Sequence, residues 1–455
     1  MSVALCKTKQ ATGGFKELLL LFFPLVAVSF SNCLFLLVEK LFLAHLSKID
    51  FEAAVNAVYA WQIFQGSCLA LAMTAQVYVG RWWGANDEKS IGPGIWQFIW
   101  FSFFSILITV PMGCLFGYFY FKGTEIEGVV LPYYYFLLVI NFLFPLAVCL
   151  ASFYIGQGKT RLVLWSTLAA QVTKIGLAYI LILGWSSWIP SMGLMGGAIS
   201  TLIAQGGLCV VLFAVFLNSK HALVYDTRNW HFKPRLFWNC IYPGLSRASC
   251  RMLTFLSWAA IAHLMSVKGG DYLLFVSIGG SLFLFVSFLS DALCQAQTTI
   301  ASQILGAGQY DLLRRAFRSG LILVLITTGI TAIPFLVFPT VTFSYLFTGM
   351  HLDEATIRKV FFGVWLSFAF FNYVFLPISH VLAFKDAKFF FFMGVMNWFN
   401  GFLLMYVAIV KFNIAADQFW LVLSLMHATT ALLYYCRMRW LESRVVFAYP
   451  PCCDS

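Results

Sequence analysis

Six formal charges sit inside stretches of the chain that are otherwise apolar: Glu39, Lys40, Lys174, Arg247, Arg251 and Asp291. If those stretches cross a membrane, each charge near the bilayer centre costs about 2.5 to 3.5 kcal/mol even on the lenient insertion scale, so it tends to face a cavity or a partner. A carboxyl group in such a medium, as at Glu39, can take up and release a proton near neutral pH or hold a small cation. The bland alternative is a side chain snorkelling at the outer end of its helix, since Lys40 and His45 follow it; Lys40 itself is expected at the interface. Lys174 facing Glu39 would form an ion pair that exchanges for a proton, or a structural pair that never opens. Arg247 and Arg251 lie one turn apart on one helix face, suited either to gripping an anion or to anchoring in headgroups. Asp291 is the only acid predicted inside a helix of the second half, as a countercharge to the arginines, a second coupling site or a packing residue.

The elements that must carry these groups are membrane spans. Apolar residues make up 61% of the 455 and charged residues only 10%, whereas a soluble domain carries about a quarter charged. The apolar residues come in blocks of about 20 or more, the length that crosses about 30 Å of hydrocarbon. Twelve such helices are expected, the seventh over 236–266 and the twelfth over 418–440. The first block (Glu17 to Leu46) is too long for a signal peptide. Assigning alternate connectors to one face, with both termini, places 19 of the 29 Lys and Arg there and 6 opposite. The positive-inside rule then makes that face, and both termini, cytoplasmic, and an inner (plasma) membrane is expected. The net charge of +11 is thereby explained without nucleic acid. The twelve cysteines lack metal-ligand spacing, and no cofactor is expected. Aromatic runs such as Tyr133-Tyr134-Tyr135 suit lipid-facing belts better than a stacking surface for ligands.

The expected organisation is an N-terminal lobe over 1–217, a cytoplasmic linker over 218–235, a C-terminal lobe over 236–440 and a tail over 441–455. The two lobes echo each other. Gly84-Ala85-Asn86 after helix 2 matches Gly306-Ala307-Gly308 after helix 8, and Gly158-Lys159-Thr160-Arg161 after helix 4 matches Lys385-Asp386-Ala387-Lys388 after helix 10 at nearly the same offset. Even-numbered repeats share an orientation, which places their axis along the membrane normal.

Over nearly its whole length the sequence resembles transporters of the multidrug and toxic compound extrusion (MATE) family. Pro24 is followed fifteen residues on by Glu39 within Val38-Glu39 and then Phe42 and Ala44. Gln76-Val77-Tyr78-Val79-Gly80, Gly156-Gln157-Gly158, Gly193 to Thr201 and Ser302 to Gly308 resemble the family's helix 2 end, the loop after helix 4, the start of helix 6 and the end of helix 8. The resemblance implies two six-helix lobes arranged as a V around a cavity, and export of a small molecule in exchange for protons or sodium ions. It places Thr201 at a hydroxyl-ligand position, where a helix-packing threonine is equally ordinary. Lys174 departs from the pattern: many members have an amide there and an acid four residues on, where this chain has Ala178 before Tyr179. Arg251, eight residues after Pro243, stands where some members carry a glutamate. These departures suggest a neutral, anionic or zwitterionic substrate, handled by a monomer among membrane lipids. A lipid-linked saccharide flippase of the same superfamily is the nearest alternative. A membrane-embedded enzyme lacks convergent catalytic groups, and a channel lacks a filter sequence.

Overall fold

A computed structural model of the chain describes residues 11–44, 48–185, 190–269, 271–347 and 352–448. They form twelve long helices, here α1 (Phe15–Ala44), α2 (Lys48–Ala72 and Thr74–Gly84, interrupted at Met73), α3 (Ile91–Phe121), α4 (Glu127–Ile140 and Leu143–Gly156), α5 (Thr160–Leu183), α6 (Gly193–Phe216), α7 (Pro234–Lys268), α8 (Tyr272–Ala307), α9 (Leu312–Ala332, ending in a π turn over Ile333–Val337), α10 (Glu354–Ala383), α11 (Ala387–Trp398, continuing to Lys411) and α12 (Phe419–Ala448). Among the described residues eleven helices are long and apolar enough to span a membrane. The twelfth, α7, is 35 residues long and carries Arg235, Arg247, Arg251 and Lys268. The chain is an all-helical integral membrane protein, turned inside out relative to a soluble one. Leu107, Phe119, Leu325 and Leu432 face outward, as lipid permits, while Gln297, Asn372, His380 and Ser200 are fully enclosed.

The chain divides into two compact units, Ala27–Met252 and Met1–Val26 with Leu253–Ser455. Both cuts fall inside helices, in α1 and α7. In the first unit the core is built around Phe98, Phe153, Tyr154 and Phe216. The connector after α6, with its short helix Ser219–Tyr225, is tacked along α3: Trp96 Nε1 donates to the Thr227 oxygen at 2.7 Å, Trp100 Nε1 to that of Trp230 at 3.0 Å, and Gln97 Oε1 accepts from Lys233 N at 3.1 Å. In the second unit Trp420, Phe361, Phe368 and Phe419 fill the centre.

The helix ends that echo each other in sequence close in the same way. After α2 Asp87 N reaches back to the Trp82 oxygen and Asn86 N to that of Trp83; after α4 Lys159 N reaches Tyr154 and Gly158 N reaches Ile155; after α8 Gln309 N reaches Ile304 and Gly308 N reaches Leu305. These are paired 6→1 and 5→2 bonds, the Schellman closure, which needs a left-handed residue after the helix. Asn86, Gly158 and Gly308 supply it, at φ of 55°, 78° and 72°, and Lys385 after α10 is left-handed as well at 60°.

Candidate functional site

Helices α1 and α5 run side by side in the first unit. Gln171 Nε2 donates to Asn32 Oδ1 at 2.5 Å, and the rings of Phe42 and Tyr179 meet edge to face with centroids 5.9 Å apart. The two contacts advance in the same direction, so the helices are parallel. Position 174 then falls level with positions 35–37 of α1, two to four residues before Glu39, a rise of ~3 to 6 Å at ~1.5 Å per residue. Lys174 is partly buried on α5. Glu39 and Lys40 lie on α1, but their side chains fall outside the described ones.

Thr201 stands on α6, buried, with its hydroxyl donating to the Gly197 oxygen at 2.9 Å. Its proton is committed to its own helix and its lone pairs are not. The helix is held against α5 by Gly196, where a Cβ would collide with the Leu181 carbonyl.

Arg247 and Arg251 occupy successive turns of α7. Arg247 is partly buried, with Nη2 3.8 Å from the Met73 sulfur. Three residues before it, Gly244 brings α7 so close to α2 that a Cβ would lie 2.7 Å from Leu71 Cγ. Arg247 is thus level with Met73, eleven residues before the end of α2 at Gly84, or ~17 Å along the helix. Arg251 is exposed on the protein surface. Asp291 is exposed on α8 and belongs to the other compact unit.

The second unit has a polar interior that sequence reasoning missed. Next to Asp291, buried Ser290 donates to Asn372 Oδ1 at 3.0 Å, and Asn372 Nδ2 donates to the hydroxyls of Thr327 and Thr328 at 2.9 and 3.2 Å. One amide thereby ties α8, α9 and α10 together. Farther along, Gln297 Nε2 donates to the Ala316 oxygen at 2.8 Å and lies 3.1 Å from His380 Nε2. Because that amide nitrogen is a donor, His380 Nε2 accepts, which assigns the imidazole proton to Nδ1. Nδ1 faces Glu442 Oε1 at 3.5 Å. His427 Nδ1 lies 3.0 Å from Ser367 Oγ, with its ring stacked on Phe283. These groups were hidden because their partners lie 19 to 83 positions apart, and because Glu442 sits in a charged run read as tail. No group of three metal-binding side chains occurs among the described residues.

A family model for MatE matches residues 24–180. The chain is 21% identical to a probable multidrug resistance protein, YoeA, of Bacillus subtilis over 71% of its own length and 72% of that protein. It is 26% identical to a probable multidrug resistance protein, NorM, of Pasteurella multocida over 70% of its length and 69% of that protein. Among solved structures it matches an outward-facing multidrug resistance MATE family transporter of the MOP superfamily with a TM-score of 0.83 at 14% identity, covering 97% of this chain and 99% of that one. A MOP superfamily transporter from Pyrococcus furiosus, described as having a binding pocket of reverse polarity that suggests a different function, matches with the same score, identity and coverage. The eukaryotic MATE transporter AtDTX14 matches with a TM-score of 0.78 at 17% identity over 94% of this chain and 98% of that one.

Proposed function

We propose that this chain, whose residues 24–180 match the MatE family model and which is similar to probable multidrug resistance proteins, is a secondary antiporter of the multidrug and toxic compound extrusion family, exporting a small organic molecule in exchange for protons or sodium ions. The observation that carries this is the parallel register of α1 and α5, fixed by Asn32 with Gln171 and Phe42 with Tyr179. It supports a coupling site made by Glu39 and Lys174, with Thr201 as a neighbouring hydroxyl ligand. While the pair is closed, each charge compensates the other in a medium where an isolated charge is costly. A proton or sodium ion arriving at Glu39 replaces Lys174 as its counter-charge, and the released ammonium has to be rehoused by a shift of the two helices. One charge moving through 100 mV supplies about 2.3 kcal/mol, enough for a gradient of about fortyfold at about 1.4 kcal/mol per decade.

The substrate is proposed to be neutral, anionic or zwitterionic. A buried organic cation needs a counter-charge, whereas the membrane helices carry Lys174, Arg247 and Arg251 against Glu39 and Asp291. Guanidinium is the side chain best shaped for carboxylate or phosphate. The depth of Arg247, level with Met73, supports a role away from the headgroups. The structural neighbour described by the reversed polarity of its pocket fits the same direction. A plasma-membrane location with both termini cytoplasmic, and action as a monomer, belong to the same proposal.

Transport in proteoliposomes with separately imposed proton and sodium gradients is the test. Glu39→Gln should abolish exchange under whichever gradient drives the wild type, with insertion intact. Normal export by the variant would defeat the coupling assignment. Strong uptake of organic cations, unaffected by Arg251→Ala and lost on Asp291→Asn, would defeat the substrate class.

A further inference from the structure

A second site lies in the unit formed by α8 to α12, at the end of the bundle where α9 begins and α12 ends. A cavity of about 200 Å³ opens there, lined by Arg314, Phe317 and Arg318 from α9 and by Tyr435, Arg439 and Glu442 from α12. Against about 30 Å³ for a water in the liquid, it has room for a phosphoryl group with its solvation. On α9 the two arginines are one turn apart, and the α12 residues recur at the three- and four-residue spacing of one helix face. The rings of Phe317 and Tyr435, with centroids 6.0 Å apart, close the apolar side.

Charge in this cavity is unbalanced. Its single carboxylate, Glu442, is only 9% exposed and is already engaged, accepting from Arg439 Nη1 at 3.2 Å and facing His380 Nδ1 at 3.5 Å. Nearby Arg437 has its own partner in Asp386 at 2.7 Å. Arg314 and Arg318 have no ion-pair partner among the described residues, and both are exposed to the cavity mouth. They also stand in the first two turns of α9, where the partial positive charge of the helix end disfavours cations and favours an anion. The positive-inside rule explains basic residues at this end of the bundle. It does not explain why three guanidinium groups from two helices converge on one cavity when Arg444, subject to the same rule, lies over the Trp440 ring.

We propose that this cavity binds a phosphate-bearing anion, gripped by the forks of Arg314, Arg318 and Arg439 and backed by Phe317 and Tyr435. Glu442, accepting from Arg439 Nη1 at 3.2 Å, orients that guanidinium. The chemistry is shared by an anionic phospholipid headgroup and by a free phosphate compound, and the experiment separates them.

Full-length protein in a neutral detergent is titrated with phosphatidylglycerol, with phosphatidylcholine and with inorganic phosphate, and its melting temperature is followed. Saturable stabilisation by phosphatidylglycerol but not phosphatidylcholine, weakened about tenfold or more in the Arg314→Gln/Arg318→Gln variant through loss of charge-assisted hydrogen bonds, identifies a lipid headgroup. Saturable stabilisation by inorganic phosphate with the same loss identifies a free phosphate compound. Arg314→Lys/Arg318→Lys retains the charge without the fork and should fall between, which also covers failure of the glutamine variant to fold. Arg444→Gln should leave binding unchanged. Stabilisation by none of the probes, equal stabilisation by both lipids, or an equal loss in Arg444→Gln would overturn the site.

Discussion

Trp420 Nε1 on α12 donates to the backbone oxygen of Phe275 on α8 at 3.0 Å, and the indole lies directly over Gly279, where a Cβ would overlap it. The bond exists because that turn of α8 has no side chain. Gly279→Ala should push the indole off the Phe275 carbonyl and cost about 1 to 3 kcal/mol, as overpacking of a filled core does. Gly280, one position on, has open space around its Cα, and Gly280→Ala should be neutral or slightly stabilising. Thermal melts of the two purified variants check the contrast; equal melting temperatures would show that the α8–α12 contact yields without cost.

Asn372 is fully buried and joins three helices through Ser290, Thr327 and Thr328. Asn372→Leu has nearly the same volume and leaves three hydroxyls short of a partner. The expected loss is about 1 to 3 kcal/mol for the stranded polar groups. Asn372→Leu with Thr327→Val should recover part of it, because removing both partners is milder than removing one.

The register of α1 and α5 makes Glu39 and Lys174 testable as a pair. Melting of Glu39→Gln, Lys174→Met and the double variant closes a thermodynamic cycle. Paired residues should show a coupling of about 0.5 to 3 kcal/mol, with the double variant more stable than the sum of the singles requires. Additivity to within about 0.5 kcal/mol would mean that the two side chains do not meet.

Asp353 caps α10, accepting from Thr356 N at 2.9 Å. Bonds from the Thr356 hydroxyl, and then from its backbone N–H, hold this carboxyl below its ordinary value of 3.8. A depressed pKa means that the cap contributes fully above the ordinary value and is lost as pH falls through the lower one. Asp353→Ala should therefore speed amide exchange at Thr356 at neutral pH, and the difference, corrected for intrinsic rates, should vanish once the pH is below the native value.

The helices were legible because each apolar block is long enough to cross a bilayer, and all twelve expected helices are present. The end of α12 was not. The stretch after 440, with Glu442 and Arg444, was read as tail, yet the helix continues to Ala448 and buries Glu442 beside His380. A carboxylate buried beside another helix cannot be told from a solvated one by its neighbours in sequence. The same holds for Gln297 and His380. Of the intramembrane charges, Lys174 and the two arginines were found by their isolation in apolar surroundings, which is a local property. Their level against other helices is not, since it depends on contacts such as Asn32 with Gln171, 139 positions apart.

Helix α11 winds for ten of its residues, Phe399–Leu403 and Val407–Lys411, with hydrogen bonds one residue wider than α. Each such stretch accommodates about one residue more than an α-helix of the same path. The segments on either side therefore stay in phase with their neighbours whether or not that residue is present. Length changes of a single residue, which would turn every following side chain of an ordinary helix by about 100° at 3.6 residues per turn, can be absorbed here. Among the described helices, α11 carries two such stretches and α9 one, at its end.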